Sequence, residues 1–106
     1  MGTILKRKAI IINKKDNVAS ALIDLEERER VEISRLPGDN IIITLVDGIQ
    51  LGHKFALEAI KLGDDVLKNG MSIGTTSKDI KKGEHVHIHN VTQIDGDSIV
   101  ENVGEK

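Results

Sequence analysis

Three of the chain's four histidines alternate within five residues, in Gly83-Glu84-His85-Val86-His87-Ile88-His89-Asn90. Imidazole changes charge near neutral pH and is the commonest protein ligand for metals, so such a row points to proton transfer or metal binding. On an extended strand, residues two apart share a face, which would set His85, His87 and His89 in one row and turn Val86 and Ile88 into the core. At about 3.3 Å per residue the outer pair would stand roughly 13 Å apart, too far to share one ion at bonds near 2.1 Å, whereas neighbours roughly 7 Å apart can converge. A metal site is therefore expected to use His87 with His85 or His89, to draw further ligands from elsewhere, and to keep open coordination positions. The competing reading is a polar outer strand face without a ligand. Asn90, directly after the row, can orient a substrate hydroxyl or simply end the strand.

The remaining histidine lies in Gly52-His53-Lys54-Phe55, a Gly-led turn that sets an imidazole beside an ammonium. That pairing suits a base or ligand next to an anion-binding group. It equally suits a loop histidine bonded to backbone with Lys54 in solvent.

The elements that must position these residues read as short strands. Ala9-Ile10-Ile11-Ile12 is a β-branched apolar run and favours a buried strand. Asp16 or Asn17 then looks like the cap of a short helix carrying Val18, Ala21, Leu22 and Leu25 at helical spacing, before the charged run Glu26–Arg30, which reads as a solvated helix end. Val31–Ser34 and Ile41–Leu45 flank Leu36-Pro37-Gly38-Asp39-Asn40, whose residues are turn formers, so a hairpin is expected. In the second half, Ala59-Ile60-Lys61-Leu62-Gly63-Asp64-Asp65-Val66 repeats 20 residues later as Asp79-Ile80-Lys81-Lys82-Gly83-Glu84-His85-Val86. In this reading Ile60 and Ile80 anchor turns, Gly63 and Gly83 take positive φ, and strands start at Val66 and Val86. Met71–Thr75 is a further strand. Strands this short and glycine this frequent indicate a mainly β, strongly bent structure with one short α-helix rather than a layered α/β fold.

Composition narrows the function classes. A chain of 106 residues reads as one small domain, too small for most self-contained enzymes, so a partner is expected. Fifteen basic and 17 acidic residues are interspersed for a net charge of -2, and Phe55 is the one aromatic. With neither a basic face nor stacking platforms, nucleic acid is not expected as a partner. There is no cysteine, hence no disulfide framework or thiolate chemistry, and a reducing cytoplasm fits this. The longest apolar run falls far short of a membrane span and no signal-peptide pattern is present, so a soluble cytoplasmic protein is expected.

Asp16-Asn17-Val18-Ala19, Gly52-His53-Lys54-Phe55-Ala56-Leu57, Lys68, Ile73-Gly74 and Gly83–Asn90 together resemble the amino-terminal SAF module of altronate dehydratases, over about Ala9 to Val91. The resemblance extends to galactarate dehydratase and to the small subunit of sulfolactate sulfo-lyase. It implies a SAF-type β-clip over the whole chain. It also implies a small subunit that works with a separate large catalytic subunit to dehydrate a hexonate, a sugar acid, to a 2-keto-3-deoxy acid, using Fe(II) or Mn(II) shared between the two. Under that resemblance His53, His87 and His89 are the catalytic candidates, Lys54, Asn90 and Lys68 the substrate-binding ones, and His87, His89 and His85 the metal ligands, with His85 the weakest member of the row. The family commonly has Lys-Tyr-Gly where this chain has Lys68-Asn69-Gly70, which leaves the substrate open. An alternative role is non-catalytic, since SAF domains also serve as carbohydrate-binding or assembly modules. Self-association of the small subunit is also open.

Overall fold

The computed structural model describes residues 7–35 and 39–93. Four short strands, β1 (Ala9–Ile10), β2 (Val18–Ala21), β5 (Lys54–Ala56) and β8 (His85–Val86), form an antiparallel sheet in the order β1-β2-β5-β8. A two-stranded ribbon pairs β3 (Arg30–Arg35) with β4 (Asp39–Thr44), and β6 (Asp65–Lys68), β7 (Met71–Thr76) and β9 (Val91–Gln93) make a three-stranded sheet with β7 in the middle. The structure is mainly β, as the short β-branched runs and frequent turn residues require. No helix among the described residues is long and apolar enough to cross a membrane.

The helix expected after Asp16 is replaced by β2. Val18, Ala19 and Ala21 are all buried, and β2 is paired on both edges, with β1 through Ala9↔Ala21 and with β5 through Val18↔Ala56. Covering on both sides makes apolar residues appear at every spacing, helical spacing included, so periodicity misreads a central strand this short. Asp16 and Asn17 do not cap a helix either. The buried Asp16 carboxylate accepts from the backbone N–H of Asn13 (3.0 Å), Asn69 (3.0 Å) and Gly70 (2.8 Å). Asn17 accepts from the Leu67 N–H (2.8 Å) and donates to the Asp65 carbonyl (3.0 Å). The two side chains thereby fasten the β6–β7 hairpin to the end of β2.

The hairpin expected around residues 31–45 is present, in the register Arg30↔Thr44 to Arg35↔Asp39; of its expected turn at 36–40, Asp39 and Asn40 belong to β4 instead, and 36–38 lie outside the described residues. The Ala9–Ile12 run pairs only at Ala9 and Ile10, and Ile12 is exposed. The repeat is structural. Ile60 and Ile80 bridge each other reciprocally through backbone bonds of 2.9 and 2.8 Å. Gly63 and Gly83 stand at φ 86° and 84°, and Val66 and Val86 are buried beside both isoleucines. At the β6–β7 turn, Asn69 (φ 58°) and Gly70 (φ 78°) are the two positive-φ residues of a type I′ hairpin, which asparagine tolerates better than a bulky side chain.

Candidate functional site

Strands β5 and β8 pair as Lys54↔Val86 and Phe55↔His85, and one further step of that register sets His53 opposite His87. The ladder stops at Val86, where the chain enters a turn over residues 87–90. Asn90 makes the turn: fully buried, it accepts from the His87 N–H at 2.9 Å and donates to the His85 carbonyl at 2.8 Å. The bend brings together rings that a straight strand would spread. The His53 and His87 centroids are 4.2 Å apart with planes 9° from parallel, and His53 and His85 are 5.2 Å apart at 6°. His53 Nδ1 lies 3.0 Å from His85 Nε2, so one ring donates to the other. One nitrogen from each of His53, His85 and His87 lies within 4.8 Å of the others. Ligands of a single ion at bonds near 2.1 Å lie within about 4.2 Å of each other, so modest ring rotations suffice to converge on a metal.

Several sequence expectations change here. His85, the weakest member of the expected row, belongs to the group of three. His89 does not: it is exposed, and its ring is tilted 32° at 5.1 Å from that of His85. Ile88, expected in the core, is 68% exposed because the turn releases it from strand alternation, whereas Val86 is buried. Asn90, read either as a substrate contact or as the end of the strand, is buried and engaged with the backbone of the turn that ends β8. Asp47 was not anticipated: its carboxylate accepts from the His85 N–H at 2.9 Å, and the only sequence signal for it is the turn-forming Asp47-Gly48 pair.

Burial holds His85 below the usual imidazole range, helped by the positive forms of His89, His53 and His87 and partly opposed by Asp47. Burial also lowers His87, followed by His53, Lys54 and His89. Both effects favour neutral rings whose lone pairs are free for a metal or a proton. Lys54 is likewise lowered, first by burial and then by the positive charge of Lys68.

Residues 7–94 match the family described as the altronate/galactarate dehydratase SAF domain. The chain belongs to that family. It is similar to the altronate dehydratases of Bacillus subtilis (44% identity) and Escherichia coli (46%), each over 81 residues that make up 76% of this chain and 15% of the relative. It is also 46% identical over 48 residues to the (2R)-sulfolactate sulfo-lyase subunit alpha of Paracoccus pantotrophus, covering 45% of this chain and 72% of that subunit. The chain thus corresponds to a small part of the dehydratases and to most of a lyase subunit.

In this SAF domain the amide of Asn90 is the element that converts an alternating row into a converging one. Asn90→Ala is expected to destabilise the chain by about 2–4 kcal/mol, because two partly buried backbone groups lose the partners that the buried Asn90 amide supplies. It is also expected to shift the ring resonances of His85 and His87. Urea unfolding and a histidine-selective NMR spectrum check both.

Proposed function

We propose that this SAF domain is the small component of a sugar-acid hydro-lyase and contributes a three-histidine half-site that a large catalytic subunit completes. The observation that carries this is the convergence of His53, His85 and His87 within 4.8 Å at a partly open surface beside Lys54. The donor set suits a divalent first-row ion. Three imidazoles would hold Fe(II) or Mn(II) with positions left over, although imidazole donors alone do not select these ions over zinc. When bound, the ion supplies a positive charge against which an enediolate is stabilised.

The chain's own residues divide the remaining work. Lys54 binds the substrate carboxylate and so fixes the adjacent carbon near the histidines. His89, outside the group of three but against His85, carries a proton: it takes the proton α to the carboxylate, or gives one to the departing β-hydroxyl, and the large subunit supplies the complementary group. Loss of that proton and hydroxyl as water leaves an enol, which becomes the 2-keto-3-deoxy acid. Hexonates are the favoured substrate class, supported by the similarity to altronate dehydratases.

The test combines metal uptake with reconstitution. Equilibrium dialysis against Fe(II) or Mn(II) is expected to load one ion per chain, and turnover of altronate, galactarate or sulfolactate is expected only when a cognate large subunit is added. Absence of stoichiometric binding, or a large subunit whose turnover is indifferent to this chain, overturns the reading.

A further inference from the structure

Asn69-Gly70 is the one place in the chain where glycine follows asparagine. That dipeptide carries its own chemistry, because glycine has no side chain to shield its backbone nitrogen from the asparagine amide. The Gly70 nitrogen, once it has lost its proton, can bond to Asn69 Cγ and expel the side-chain nitrogen as ammonia. Water then opens the resulting succinimide to aspartate or isoaspartate. Asn13, Asn17, Asn40 and Asn90 are followed by Lys, Val, Ile and Val, whose side chains obstruct the same attack.

The fold presents the electrophile and withholds the nucleophile. Asn69 is exposed in the turn between β6 and β7, so its amide is open to water. The Gly70 N–H instead donates to Asp16 Oδ1 at 2.8 Å, and the Asn69 N–H donates to Oδ2 at 3.0 Å. Asp16 is buried and is itself held in a turn, its N–H donating to the Asn13 carbonyl at 2.9 Å and its Oδ2 accepting from the Asn13 N–H at 3.0 Å. Asn13 also fills the space beside residue 70, where a Cβ would lie 2.8 Å from its Nδ2. A carboxylate oxygen this close to the Gly70 nitrogen opposes the reaction in two ways. It holds the proton in a charge-assisted bond, and it sets a negative charge against the nitrogen anion that must form.

We infer that Asn69 is a site of spontaneous deamidation that the Asp16 carboxylate holds closed while the β6–β7 hairpin is fastened to β2. Reaction requires a local opening at Asp16, and it makes that opening permanent. Isoaspartate adds a methylene to the backbone inside a turn of two residues, so Lys68 and Met71 can no longer keep their register and Asp16 no longer spans the two N–H groups. Aspartate at the same position adds a negative charge to the turn that Asp16 already holds. Attachment of the hairpin is thereby coupled to the chemical age of the chain. The site involves none of the histidines and is independent of the hydro-lyase reading.

The whole chain is incubated in mildly alkaline buffer, with and without denaturing urea, and digested for peptide mass spectrometry. Conversion of Asn69 is expected in urea, with Asn40 unchanged. In buffer it should be slower by at least about tenfold, the protection that a hydrogen bond to a charged group confers against local opening. Across sub-denaturing urea, hydrogen exchange of the Gly70 amide and conversion of Asn69 should rise together. Asp16→Asn, which keeps the shape and one acceptor but removes the charge, should speed conversion in the folded chain several-fold, a dispersed amide spectrum showing that the fold is kept. Should that variant unfold, the urea series of the parent decides. Conversion as fast in buffer as in urea, or none in urea, overturns the site. Conversion that does not follow Gly70 exchange, or folded Asp16→Asn reacting at the rate of the parent, overturns the part assigned to Asp16.

Discussion

Alanine at His53 is expected to abolish stoichiometric metal uptake and to lower turnover of the reconstituted enzyme by at least about 100-fold, since even outer-shell changes at metal sites commonly cost 10–100-fold. His53 is the member of the group that comes from outside the 85–89 segment. Its ring lies against His87 at 4.2 Å and reaches His85 Nε2 at 3.0 Å, so its removal leaves a pair of imidazoles from a single turn. Two imidazoles hold a first-row ion far more weakly than three, because each lost bond must be replaced by water. The backbone does not depend on this side chain: the bonds that place residue 53, from the Ala21 N–H to the His53 carbonyl at 2.8 Å and from the His53 N–H to the Gln50 carbonyl at 2.9 Å, survive truncation. The melting temperature of the metal-free variant should therefore stay near that of the parent while metal content falls. His89→Ala supplies the contrast. Exposed and outside the group of three, it should keep the ion and lose turnover, as a proton carrier would. Metal analysis beside steady-state kinetics separates the two roles, and His53→Ala with full metal and turnover within a few-fold of the parent would show that the cleft assignment is wrong.

The parts of this architecture that were legible in the sequence are those carried by local chemistry. The 20-residue repeat could be aligned because Ile60 and Ile80, Gly63 and Gly83, and Val66 and Val86 each answer a local demand: an apolar anchor, a positive φ, a buried strand start. The β3–β4 hairpin was legible for the same reason, with turn formers between two β-branched runs. Residues 16–25 were not, because their fate is decided by distant partners. Asp16 and Asn17 have the chemistry of a helix cap, and it takes the backbone of residues 65–70 to claim their side chains instead. The histidine row shows the same division. Its residue types pointed to a candidate site, whereas the roughly 13 Å that a straight strand would set between His85 and His89 is overturned, since their ring centroids stand 5.1 Å apart. The bend that brings them together depends on Asn90 bonding back to residues 85 and 87, a tertiary fact with no periodic signature. Asp47 was invisible for a related reason, since it meets His85 across 38 residues of chain.

The repeat also supplies the second large effect, because its two glycines share a backbone conformation and differ in their surroundings. Gly63 and Gly83 stand at φ +86° and +84°, where an L side chain is strained; a Cβ on Gly63 would meet nothing within 4 Å, whereas a Cβ on Gly83 would lie 2.3 Å from the Thr44 carbonyl oxygen and 3.3 Å from Leu45 Cα. Gly63→Ala is thus expected to cost only the left-handed strain, about 1–2 kcal/mol. Gly83→Ala carries the same strain and must in addition displace backbone at the end of β4, so a total of about 4 kcal/mol or more is expected, in the range reserved for severe core disruption. That is a large fraction of the stability of a small domain. The displaced backbone matters to the site as well. The Gly83 N–H donates to Ala56 in β5 and its carbonyl accepts from Val46, each at 2.8 Å, which places the residue between the strand after His53 and the loop that carries Asp47. Forcing Gly83 away from Thr44 shifts His85, two residues on, relative to both His53 and Asp47. Urea unfolding of the two variants should differ by about 2 kcal/mol or more, and metal uptake should survive Gly63→Ala and fail in Gly83→Ala. Equal destabilisation would mean that β4 yields freely at Thr44 and that steric contact there does not set the approach of the histidine turn to β5.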